Sequence, residues 1–69
     1  MDFLNVLSGF IGQNVEVFFT NQFITGKLSN VSADNGTFTV DVTSGSYAGP
    51  GTSTVISLLT MDMVRILPS

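Results

Sequence analysis

FITGKLSNVSADNGTFTVDVT, running from Phe23 to Thr43, is two strands around a turn. In its second half Phe38, Val40 and Val42 alternate with Thr37, Thr39 and Asp41. That two-residue period marks a strand with one buried face. The turn is Asp34-Asn35-Gly36, because Asn and Gly accept the positive φ that a type I′ hairpin requires. The first half, Phe23 to Ser32, is a strand with Gly26 inside it, which predicts a bulge or a sharp bend. Such a bend lets one strand serve two corners of a small sheet.

Strand character continues on both sides. Upstream, Val15, Val17 and Phe19 alternate with Glu16, Phe18 and Thr20, and Asn21-Gln22 supplies a tight turn. Residues 2–11 predict a short helix capped by Asp2, with Phe3, Leu4, Leu7, Phe10 and Ile11 on its apolar side and an end near Gly12. Asn5, Val6 and Gly9 weaken that helix. Downstream, Ser44 to Gly51 reads as a loop around Tyr47. Thr52 to Leu59 follows as a fourth strand, Thr60-Met61-Asp62 as a single helical turn, and Met63 to Leu67 as a closing strand before Pro68. The expectation is an all-β domain over residues 1–69, with a helix at 2–11 and a five-stranded, strongly bent barrel at 14–67. Closure is the simplest way for so small a sheet to bury its faces.

Size and composition then bear on function. The chain has 69 residues, and a lone core of that length supplies only roughly 3–5 kcal/mol. It contains no cysteine and no histidine, so disulfides and the usual transition-metal ligands are absent. Hydrophobic residues make up 43% and charged residues only 10%, against about 25% charged in ordinary soluble domains. Association with further subunits is the remaining route to stability. The net charge is −3, with Lys27 and Arg65 the sole cations, too few for a phosphate-binding stripe unless symmetry repeats them. The sequence shows no secretory signal and no spanning apolar run, so synthesis on the cytoplasmic side is expected.

Chemistry is sparse. Acid–base catalysis needs a group that titrates near neutrality, and Asp2, Glu16, Asp34, Asp41 and Asp62 are scattered without paired spacing. No base stands ready to activate a serine or threonine. Neither catalysis, a cofactor nor a metal is expected. Asn30-Val-Ser32 and Asn35-Gly-Thr37 match the glycosylation triplet by chance in a chain without a signal.

The order of elements, with Gly12, Val15, Val17, Gly26, Leu28, Val31 and Asp34, resembles the Sm-like fold, an SH3-like small barrel. The ending Val55-Ile56-Ser57-Leu58, with Met61, Val64, Ile66 and Pro68, is similar to that of short Sm-like proteins from endospore-forming bacteria. The resemblance implies a ring or filament in which the fourth strand of one subunit pairs with the fifth strand of the next. It also implies an association with spores, at their surface or coat. RNA-binding members carry an Asp followed closely by Asn, which Asp34-Asn35 imitates. They also carry a cationic motif between the last two strands, where this chain has Leu59-Thr-Met-Asp-Met63, so nucleic acid is not the expected partner.

The leading expectation is therefore a non-enzymatic, self-assembling structural protein whose partner is itself. Its interface would comprise Val55, Leu59, Met61, Met63, Arg65 and Leu67, with lateral contacts from Phe18, Phe23 and Tyr47. Tyr47 packs against a neighbouring subunit or its own barrel on the favoured reading, with a stacking platform for a base or sugar as the second. One alternative is an RNA-binding ring using Lys27, Asp34, Asn35 and Arg65. Another is an adaptor that offers a free strand edge to a different protein.

Overall fold

A computed structural model describes residues 2–68. The elements are α1 (Phe3–Ser8), β1 (Asn14–Phe18), β2 (Phe23–Ser32), β3 (Thr37–Gly45), β4 (Ser53–Ser57) and β5 (Met63–Ile66). The strands form one antiparallel sheet in the order β4-β3-β2-β1-β5. The protein is thus all-β with a short N-terminal helix, as its alternation requires.

The sheet is strongly curled. Val15, Val17, Ile24, Leu28, Phe38, Val40, Val42 and Ile56, drawn from four strands, are all buried on one face. The helix adds Leu4 and Leu7 to that core. A flat sheet covered by six helical residues would leave most of that face wet, so the sheet must fold over its own core. Two features of β2 allow the bend. Its pairing with β3 shifts register between Thr25 and Gly26 and again between Leu28 and Asn30. At Gly26 an added Cβ would lie 2.2 Å from the Asp41 carbonyl oxygen and 2.9 Å from Val40 Cγ1. Only glycine lets the backbones approach that closely.

Several sequence expectations are corrected. The helix does not run over 2–11. Asp2 caps it, with Oδ1 accepting from the Asn5 amide at 2.8 Å, and Gly9 closes it. Phe10 and Ile11 then fall out of helical phase, with Ile11 exposed and Phe10 half-buried, while Phe3 is exposed within the helix itself. The chain leaves through Gly12 at φ 97°, whose amide bonds the Leu28 carbonyl.

The hairpin between β2 and β3 is not a type I′ turn. Ser32 pairs with Thr37, leaving a four-residue loop, and no non-glycine among the described residues has positive φ. Asn35 N–H donates to the Ser32 carbonyl and Gly36 N–H to that of Ala33, so the loop is made of helical-type turns closed by Gly36 at φ 69°. Four-residue hairpin loops are commonly built this way.

Ser44 and Gly45 extend β3 rather than opening the loop, because they pair with Thr25 and Ile24 beyond the bulge. The helical turn expected at Thr60-Met61-Asp62 lies earlier, at Ser57–Thr60. The Ser57 carbonyl accepts from both the amide and the hydroxyl of Thr60, and Ser57 Oγ accepts from the Leu59 amide. These bonds end β4 at Ser57, two residues short of Leu59.

The expected barrel closure is also absent from the hydrogen-bond ladder. Among the described residues β4 and β5 are not neighbours, and each has a free edge. An odd number of strands with antiparallel neighbours throughout leaves β4 and β5 running the same way along the sheet. The weaker parallel pairing would be needed to join them within one chain.

Candidate assembly surface

The face and direction of each strand follow from the ladders. On β5, Met63 and Arg65 alternate with the half-buried Val64 and Ile66. Met63 pairs with Phe18 on β1, and Phe18 pairs with Phe23 on β2. Met63, Phe18 and Phe23 therefore make an apolar row across the outer face beside the β5 edge. Phe23 and Met63 are exposed and Phe18 is half-buried.

At the other edge β4 places Ile56 in the core and Val55 on the outer face, 64% exposed. Leu59 stands at the tip of the Ser57–Thr60 turn with 95% of its surface in solvent. The three bonds converging on Ser57 hold that turn, so the leucine is displayed on a rigid support. A leucine kept almost wholly in water forgoes roughly 1.5–3 kcal/mol of burial.

Backbone bonds Val42 N–H to Thr52 O and Leu58 N–H to Gly36 O bracket the β3–β4 ladder. In an antiparallel pair the bonded residues alternate, which makes Phe38–Ile56 and Val40–Thr54 the bonded pairs. Val55 lies between them, so its N–H and C=O point away from β3 into the open edge. The same alternation on β5, anchored by Leu67 N–H to Asn14 O, turns the backbone groups of Val64 and Ile66 outward.

The other sequence candidates are dispersed. Met61 packs half-buried against the core, and Leu67 is half-buried. Tyr47 stacks on Phe19 of its own chain, with ring centroids 4.0 Å apart and planes at 17°. That stack is secured by the amides of Ser46 and Tyr47, which both donate to the Phe23 carbonyl. Arg65 pairs with Glu16 at 3.0 Å. Lys27 lies opposite Asp41 in the β2–β3 ladder, while Asp34 and Asn35 sit in the hairpin tip. The two cations thus each face an acid, and neither lies in the tip loop with Asp34 and Asn35.

One exposed apolar group escaped the sequence reading. Phe3, Val6 and Ile11 lie on the solvent side of α1 and its tail. Their spacing is visible in the sequence, but a ten-residue helix over 2–11 places Phe3 and Ile11 with the buried side.

Among the described residues there is no enclosed pocket and no group of three or more potential metal ligands. No helix of the described residues is long and apolar enough to cross a membrane. Comparison with protein-family models, with curated proteins and with solved structures finds no match to this chain.

Proposed function

We propose that this chain is a non-enzymatic structural subunit that assembles with copies of itself by pairing its free strand edges. The single observation that carries the proposal is the combination at β4: an open backbone edge at Val55, flanked by the apolar side chains of Val55 and Leu59. Exposed edges of this kind normally carry charge, proline or a covering loop that discourages pairing. β4 carries neither charge nor proline, and the turn that follows it bears a solvent-facing leucine at its tip. β5 is the second open edge, with Met63 beside it. Pairing β4 of one copy with β5 of the next is a head-to-tail contact, which yields a ring where the rotation closes and a filament where it does not. The likeness to short Sm-like proteins of spore-formers adds the spore surface or coat as the proposed location.

The RNA-binding alternative is less well supported, because Arg65 is engaged by Glu16 and Lys27 faces Asp41. The two readings part on salt. Apolar contacts and strand pairing should survive or strengthen as salt rises, whereas phosphate binding is lost steeply. Electron microscopy of the purified protein at moderate and at high salt should therefore show regular particles or fibres under both conditions. Particles that dissolve on raising salt, or that form only with RNA, would refute the proposal. A protein that stays monomeric but captures an unrelated chain along β4 would favour the adaptor reading.

A further inference from the structure

The tip of the β2–β3 hairpin carries chemistry that strand pairing does not use. The asparagines of the chain are Asn5, Asn14, Asn21, Asn30 and Asn35. The first four precede Val6, Val15, Gln22 and Val31, whose side chains crowd the backbone nitrogen that follows each asparagine. Asn35 precedes Gly36, whose nitrogen has no such neighbour. A side-chain amide and the next backbone nitrogen are separated by the right number of atoms to close a five-membered ring.

Three features of the loop favour that closure. Asn35 is exposed to water. A Cβ built on Gly36 meets nothing within 4 Å, so there is room for a ring. The Gly36 N–H is held only by a long bond, 3.3 Å to the Ala33 carbonyl, while Asn35 Nδ2 donates to Ser32 Oγ at 2.9 Å.

We propose that Asn35 is a site of spontaneous deamidation and isomerisation that loosens the turn bearing Leu59. Base removes the Gly36 N–H proton, and the nitrogen attacks Asn35 Cγ. The Cγ–Nδ2 bond then breaks, and the nitrogen leaves as ammonia with a returned proton. One water opens the resulting succinimide at either carbonyl, leaving aspartate or isoaspartate. Either product adds a negative charge beside Asp34. Isoaspartate also inserts a methylene into the backbone immediately before Gly36. The Gly36 carbonyl accepts from Leu58 N–H at 3.1 Å, which ties the hairpin tip to the Ser57–Thr60 turn. Lengthening the backbone at Asn35 displaces that carbonyl and unties the turn from the hairpin tip, leaving only its own bonds to Ser57.

The test is ageing of the intact protein in mildly alkaline buffer, followed by tryptic digestion and fragment sequencing by mass spectrometry. Cleavage after Lys27 and Arg65 yields residues 28–65, which hold Asn30 and Asn35 in one peptide. Asn30 is then an internal reference. The expected result is a gain of about 1 Da at Asn35 well ahead of Asn30, split between aspartate and isoaspartate. Amide hydrogen exchange at Leu58 should quicken in the isomerised fraction. Freshly prepared Asn35→Asp should keep Leu58 protected, because it adds the charge without the methylene. Asn35→Gln should stay unmodified over the same period. Asn35 persisting as long as Asn30 would overturn the site. Unchanged protection of Leu58 in isomerised protein would overturn the coupling to the turn.

Discussion

Replacing Gly26 with alanine is expected to abolish cooperative folding. The added methyl would sit 2.2 Å from the carbonyl oxygen of Asp41 and 2.8 Å from its carbon, both backbone atoms of the facing strand. A flexible side chain can swing aside, but this neighbour cannot move without parting β2 from β3. Overpacking a rigid site costs about 1–3 kcal/mol, and a clash with backbone belongs at the upper end or beyond. A chain of this size has only roughly 3–5 kcal/mol in total. The affected region is also central, because Phe38, Val40 and Val42 on β3 supply much of the core. Thermal melts followed by circular dichroism should show a cooperative transition for the unmodified chain and none, or one strongly lowered, for Gly26→Ala. Gly49→Ala is the control, since a Cβ there meets nothing within 4 Å. A Gly26→Ala protein that melts like its parent would mean that β2 and β3 do not approach as described.

Introducing aspartate at Val55 and Leu59 together is expected to eliminate assembly while leaving the subunit folded. Both side chains point into water in the single subunit, so the fold should change by no more than about 0.5 kcal/mol per site. In a paired edge the same positions would be enclosed. Burying an unpaired carboxylate costs several kcal/mol. A loss of that size lowers the association constant by a factor of a thousand or so, since each 1.4 kcal/mol is about tenfold. The variant should therefore melt like its parent but form no particles at concentrations where the parent does. Single variants should show which residue dominates, and Leu59 is expected to, because its turn already holds it rigid. Persistence of assembly in the double variant would move the interface elsewhere, with the exposed Phe3, Val6 and Ile11 the first residues to test.

How far these features were legible in the sequence depends on what each residue reports. Val15, Val17, Phe38, Val40 and Val42 disclosed their strands and their buried face, because a period of two has one meaning. Gly26 disclosed its bend because a glycine amid alternating residues has few other reasons to be there. The loop at Asn35-Gly36 was placed correctly but given the wrong geometry: loop length is set by which residues pair across it, and the Ser32–Thr37 pairing is not a local property. Helix α1 was drawn too long since Gly9 ended it earlier than the apolar spacing suggested. The stack of Tyr47 on Phe19 joins two loops distant in sequence, and nothing local to either announces it. Outward placement of Val55 and Met63 followed from alternation, whereas Leu59 faces water from a turn beyond the end of β4, where alternation does not apply. The open backbone edge beside Val55 did not follow from it either, because closure or openness belongs to the whole sheet.

Sedimentation velocity of the unmodified chain beside Val55→Pro tests the assembly account most directly. Proline removes the one N–H at that position, which points away from β3, so the internal ladder keeps its bonds and the edge loses a donor. Its fixed φ is tolerated on an edge strand. The account predicts that the unmodified chain sediments as a large species and Val55→Pro as a folded subunit of 7.3 kDa. An unmodified chain that sediments at 7.3 kDa across all concentrations, or a Val55→Pro variant that assembles as readily as its parent, would contradict it.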